Sequence, residues 1–133
     1  MGLILDSSML IAAERKKFDL SSLLEAEAPM EPVYISTITA SELLHGVERA
    51  TPEHRAKREA FFEAVLRETP SLAIDLACAR IHAALWAKLE ASGERIGPHD
   101  MWIAATCLRY RFRLATLNVG EFGKVEGLQI TKT

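Results

Sequence analysis

The sequence predicts an α/β fold of three layers, with a central parallel sheet of four to five strands between two layers of helices. Short apolar runs alternate with longer segments of helical period along the whole chain, the pattern of a parallel sheet with helices on both faces. The opening run Leu3-Ile4-Leu5 is apolar without alternation, as suits a strand buried on both sides. Acidic or amide residues stand just past several of these runs, at the carboxyl edge where open α/β sheets collect their ligands.

Each element has its own signal. After the strand at 2–5, Ser7 and Ser8 begin a helix over 7–17, whose last residues Arg15-Lys16-Lys17 carry the positive charge that favours a helix carboxyl end. A second helical piece covers about 18–28, and Pro29 and Pro32 stop it. Val33-Tyr34-Ile35-Ser36 is the second strand, and Thr39 starts a helix that runs to about Ala50. Thr51-Pro52-Glu53 opens another, carrying Phe61, Phe62, Val65 and Leu66 to about Glu68. Ser71-Leu72-Ala73-Ile74 is a third strand. Asp75 then caps a helix over 76–92 with an apolar stripe of Ile81, Leu85 and Leu89, and Gly93 stops it. Gly97-Pro98 opens a helix through about Arg111, Leu114-Ala115-Thr116-Leu117 is the fourth strand, and Leu128-Gln129-Ile130 a fifth. No repeat or long linker divides the chain, so 1–133 reads as one domain.

Composition narrows the class. With 49% hydrophobic residues and a formal net charge of -2, the chain is an ordinary globular protein with no overall basic field to advertise a nucleic-acid partner, although local basic patches can hide in such a total. Cys78 and Cys107 lie among Ala, Leu and Ile in predicted helices, with no second Cys or His at zinc spacing, and read as reduced packing residues of a cytoplasmic protein. No leader pattern opens the chain and no apolar window is long enough to span a membrane.

The acids carry the chemistry. Asp6 closes the first strand, and its plainest role is to cap the helix that follows. Glu42 is fourth in Thr39-Ala40-Ser41-Glu42, the pattern of a capping box. On a helical wheel it lies off the face of Ala40, Leu43, Leu44 and Val47 and beside Gly46, which leaves open space next to the carboxylate. Asp100 occupies the first turn of a helix apolar all round, through Trp102, Ile103, Ala105, Cys107, Leu108 and Tyr110, so its amino end should lie close to the core. The plain alternative is an acid favoured by a positive helix end. Asn118 and Glu121 follow the fourth strand directly, in what is also ordinary turn chemistry.

Three acids, with Glu121 as a fourth, thus project from one edge. Grouped carboxylates repel and raise each other's pKa, so a protein that gathers them without bases needs a cation among them. Oxygen ligands of this kind suit magnesium or manganese, and the chemistry that follows is attack of water on a phosphodiester.

Four blocks in order, Asp6-Ser7-Ser8, Ser41-Glu42-Leu43-Leu44-His45-Gly46, Asp100-Met101-Trp102-Ile103-Ala104 and Thr116-Leu117-Asn118-Val119-Gly120-Glu121-Phe122, carry a resemblance over essentially the whole chain. The chain resembles the PIN-domain ribonucleases, and within them the toxin component of VapBC-type toxin-antitoxin pairs. The resemblance implies an endoribonuclease using magnesium or manganese, held in check by a VapB-type antitoxin whose carboxyl-terminal segment covers the active site. Asp6 and Asp100 would be the main metal ligands, and Glu42 would complete the site by orienting water or a second ion. Thr116 and Asn118 would hold the ligands or the phosphate by hydrogen bonds, with Ser7 in the same supporting group. Glu121 stands where the family often has an aspartate, one methylene shorter, and it either binds through water or shapes the turn. A homodimer, and a structured RNA such as transfer RNA as substrate, are further implications.

Contact with RNA needs positive charge. Arg15-Lys16-Lys17, Arg55-Lys57-Arg58 and Arg109-Arg111-Arg113 are candidates, although each reads more plainly as a solvated helix face or helix end. The last lies roughly 15 Å from Asp100 by helical rise, too far for direct catalysis. His99 adjoins Asp100 as a phosphate contact or a local hydrogen bonder, and His45 is a poor ligand for magnesium. Two rivals remain. A phosphoacceptor receiver domain needs an aspartate after a central strand and a lysine after a late one, where this chain has Ile74-Asp75 and Thr116-Asn118. A domain of the same fold that only binds partners would have no use for Asp6, Glu42 and Asp100 together.

Overall fold

The first strand, β1 (Leu3–Leu5), is the middle of the sheet because its side chains are apolar on both sides. Leu3 and Leu5 face one helical layer and Ile4 the other, and all three are essentially inaccessible to water. The computed structural model describes residues 2–27 and 29–131. Around β1 it arranges β2 (Val33–Ser36), β3 (Ser71–Leu72), β4 (Arg113–Ala115) and β5 (Ile130–Thr131) in the order β3-β2-β1-β4-β5, every pairing parallel.

One layer consists of α1 (Ser7–Glu14), α2 (Leu20–Glu27), α3 (Thr37–Glu48) and α4 (Pro52–Glu68), whose Met9, Leu10, Leu43, Val47 and Phe62 pack on Leu3, Leu5 and Ala115. The other consists of α5 (Leu76–Ser92), α6 (Pro98–Tyr110) and the short α7 (Val119–Phe122), whose Leu85, Leu89, Ile103, Ala104 and Phe122 pack on Ile4 and Leu114. The expected three-layer fold with a parallel sheet is therefore what forms, with five strands. The chain winds outward from β1 to β3, then crosses back to build β4 and β5 on the other side. That reversal, between β1 and β4, is the switch point where open α/β sheets bind ligands. It also differs from the 2-1-3-4-5 order of receiver domains.

Several boundaries depart from expectation. The first helix ends at Glu14 rather than at 17, because Lys16 turns to φ 59, a left-handed conformation that no α-helix continues through. The second runs from Leu20 to Glu27, and residue 28, its expected last, lies outside the described residues. The third begins at Thr37, with the Ser36 hydroxyl accepting from the Ile38 N–H at 3.1 Å. Ser36 caps three residues ahead of the predicted box, which leaves Thr39 buried inside the helix and Glu42 free of any capping role. Leu44, placed on the apolar face by its spacing, is 39% exposed. Asp75 does cap α5 through the Cys78 N–H at 2.8 Å, and Gly93, at φ 75, does end it. On that helix His82 takes the buried position beside Leu85 and Leu89 by stacking on Trp102, ring centroids 3.6 Å apart. The strands at 71–74, 114–117 and 128–130 shorten or shift to β3, β4 and β5, and α7 was not foreseen. No helix among the described residues is long and apolar enough to cross a membrane. Cys78 and Cys107 are both buried free thiols, as expected.

Candidate active site

Asp6 stands at the carboxyl end of β1, next to the switch point, and is 3% exposed. It occupies the N-cap position of α1, yet its carboxylate makes no capping bond. Both available hydroxyls are aimed at one oxygen instead: Ser8 Oγ and Thr116 Oγ1 each donate to Asp6 Oδ2 at 2.7 Å. A hydroxyl has one proton, so each then accepts from the backbone, Ser8 from the Leu117 N–H at 3.0 Å and Thr116 from the Asn118 N–H at 2.9 Å. The end of β1 is thereby tied to the turn after β4, and Oδ2 is satisfied while Oδ1 is buried without a partner. A buried carboxylate oxygen left unpaired costs free energy unless something else meets it.

Asp100 enters from the first turn of α6, which Gly97 and Pro98 begin. Burial, together with the charges of Asp6, Glu42 and Glu121, pushes its carboxyl up to about 6, partly offset by His99. Asn118 Nδ2 donates to Asp100 Oδ2 at 3.4 Å. Glu42, from α3, has Oε1 buried with no partner and Oε2 3.5 Å from His99 Nδ1, so His99 serves as a neighbour of that carboxylate. Gly46 leaves open space as its position suggests: a Cβ there would meet nothing within 4 Å. A cavity of about 90 Å³ lies against Glu42, Gly46, Glu14 and Arg58. A larger recess of about 310 Å³, lined by Cys107, Phe112 and Leu128, sits at the amino end of β4, away from these acids.

The four predicted acids thus share one electrostatic site, but they do not close on a point. Among the described residues, no three His, Cys, Asp or Glu side chains stand as a ready-made metal cage. Mutual repulsion is reason enough for that spacing. Glu121 is turned aside: its Oε1 accepts from the Gly97 N–H at 2.8 Å and its Oε2 lies 3.7 Å from Lys124 Nζ. Ser7 takes no part in the hydrogen bonds that hold Asp6, whereas Ser8 does. Besides Asp6, two residues away, the partners that single out Ser8 lie 108 and 109 residues away, which sequence could not show.

Four of the nine residues in the basic clusters are committed to ion pairs, while Arg15, Lys16, Lys17, Lys57 and Arg111 are exposed. Arg109 pairs with Asp75, Arg113 with Glu31, Arg55 with Glu48 and Arg58 with Glu14. Arg15 remains exposed beside the Glu42 cavity.

A parallel sheet with acids gathered at its switch point defines a class of α/β domain, and the comparisons supply the family. The chain belongs to the PIN-domain family, whose model, described as PIN domain, matches residues 3–128. It is 37% identical over 131 residues to the protein named Ribonuclease VapC1 of Rickettsia felis, covering 98% of this chain and 95% of that one. It also superposes on a chain from the crystal structure of a member of the VapBC family of toxin-antitoxin systems, VapBC-5, from Mycobacterium tuberculosis, at a TM-score of 0.79 and 28% identity, with 100% of each chain covered. A chain of VapBC2 from Rickettsia felis, crystallised with a DNA fragment from their promoter, shares the fold at a TM-score of 0.90 and 24% identity, covering 98% of each. The family expected from the four sequence blocks is the family found.

Proposed function

We propose that this chain is an endoribonuclease, the toxin of a toxin-antitoxin pair, which hydrolyses RNA phosphodiester bonds with a magnesium or manganese ion held by Asp6 and Asp100. One observation carries the reading: Asp6 presents a buried, partnerless Oδ1 to a site where burial and three neighbouring acids push the Asp100 carboxyl up to about 6. An anionic site with a spare buried oxygen, and only His99 and Lys124 as basic neighbours at its rim, fits a hard cation. Such an ion, when bound, lowers the pKa of water and neutralises charge on the phosphate.

The residues divide the remaining work. Ser8 and Thr116 fix the Asp6 carboxylate so that only Oδ1 is left to bind. Asn118 steadies Asp100 through its Oδ2. Glu42, with its unpaired Oε1, is the group that orients the attacking water and takes its proton. Glu121 adds negative charge from the rim, and Arg15, at the edge of the Glu42 cavity, is placed for a phosphate. Leu44, Leu117 and Val119, exposed around these acids, suit an apolar segment of a VapB-type antitoxin. Leu76 and Trp86, exposed on α5, suit a homodimer contact in the cytoplasm.

The test compares wild-type protein with Asp6→Asn on RNA, in magnesium and in chelator. Cleavage is expected only from the wild type with magnesium. Equal cleavage by both proteins, or none by either, counts against this reading.

A further inference from the structure

The carboxyl group of Glu121 is committed to backbone. Its Oε1 accepts the Gly97 N–H at 2.8 Å, and its Oε2 faces Lys124 Nζ, which in turn donates to the Arg95 carbonyl at 2.8 Å. Residues 95 and 97 are thus held from both sides by the segment that carries α7. Gly97 is the N-cap of α6, and its carbonyl receives the Met101 N–H at 2.9 Å, the first bond of that helix. Its backbone is also the wall beside Asp100: a Cβ built on Gly97 would lie 3.8 Å from Asp100 Oδ2. Whatever fixes Gly97 therefore fixes the first turn from which Asp100 projects.

We infer that Glu121 is a positioning residue for Asp100, acting through the Gly97 amide, and that its length rather than its charge is what the site requires. The inference rests on the metal-dependent reading above, in which Asp6 and Asp100 meet the ion, and refines it by giving Glu121 a task at the Gly97 amide. An aspartate at 121 would fall short of Gly97 by about 1.5 Å, one carbon–carbon bond, which is enough to break the hydrogen bond. A glutamine would reach it, since an amide oxygen accepts as a carboxylate does.

Two substitutions separate length from charge. Glu121→Gln keeps reach and acceptor and discards the charge, and Glu121→Asp keeps the charge and discards the reach. Exchange of the Gly97 amide proton, resolved by NMR without added metal, judges the latch alone: protection is expected in wild type and Glu121→Gln, and a loss of roughly tenfold or more in Glu121→Asp. Manganese titration by calorimetry judges its effect on the site. Glu121→Gln should bind within roughly threefold of wild type, and Glu121→Asp roughly tenfold more weakly. Equal amide protection in all three proteins, or weaker manganese binding in Glu121→Gln than in Glu121→Asp, overturns the inference. Absence of manganese binding by the wild type instead overturns the proposed function, and the Gly97 amide still decides whether the latch exists.

Discussion

Thr116 reaches Asp6 across 110 residues of sequence with a hydrogen bond of 2.7 Å, and this bond joins the two strands at which the sheet reverses its order. Hydrogen bonds to a charged group are each worth about 1.5–3 kcal/mol, about twice a neutral one. Thr116→Val keeps the shape and removes the donor. It should lower stability in urea denaturation by about 1–3 kcal/mol and weaken magnesium-dependent cleavage about tenfold or more. Thr116→Ser should restore both.

Ser8→Ala removes the second donor to the same oxygen and also the acceptor of the Leu117 N–H. Because Ser8 and Thr116 share Asp6 Oδ2, their losses should not add. A double-mutant cycle on stability should show a coupling energy of about 0.5–3 kcal/mol, and additivity would argue that the two hydroxyls act independently.

Asp100 predicts a pH dependence. Its carboxyl is raised from an ordinary 3.8 to about 6, first by burial and then by Asp6, Glu42 and Glu121. The folded protein therefore holds this proton more tightly than the unfolded chain. The stability it contributes is full below 3.8 and is lost as pH rises through about 6. In chelator, wild-type protein should lose melting temperature relative to Asp100→Asn between about pH 5 and pH 7. Magnesium should erase that difference for wild type, since it binds the ionised form, and its stabilisation should fade as the solution is acidified.

His99 touches Glu42 from a largely exposed position, its side chain 61% accessible. Pairs of this kind are worth about 0–1 kcal/mol. His99→Ala should therefore change cleavage less than about fivefold, measured as initial rate at saturating magnesium. A loss as large as that of Asp6→Asn would make His99 part of the chemistry.

Arg58 and Glu14 form a half-buried pair, 28% and 17% exposed, and Arg58 also reaches the Gly46 carbonyl at 3.4 Å. Removing one partner strands the other's charge beside the Glu42 cavity. Arg58→Met should destabilise by about 1–3 kcal/mol, and Glu14→Gln added to it should recover part of that loss in the same denaturation assay.

What sequence could show here was whatever depends on near neighbours. The apolar run of β1, the cap at Asp75, the stop at Gly93 and the placement of Asp6 and Asp100 just past or just inside an element all follow from local pattern, and the structure reproduces them. The errors share one cause. Thr39 and Glu42 match a capping box, but the strand delivers Ser36 to the helix start first. Ser7 and Ser8 are indistinguishable until Thr116 and Leu117 arrive to select Ser8. The ion pairs of Arg109 and Arg113 could not be read locally, because Asp75 and Glu31 come from elsewhere in the chain. For Glu121 the sequence left two roles open, binding through water or shaping the turn, because its partner Gly97 lies 24 residues away.

The central strand is made early and completed late. β1 precedes both of its neighbours in the chain, and β4, which brings Thr116 to Asp6, begins only at Arg113. On a translating ribosome the Asp6 end of the sheet therefore stays unassembled until that late segment has emerged and closed the long-range pairing. The acid at the heart of the site thus takes its final form only after the segment from Arg113 to Thr116 has paired with β1.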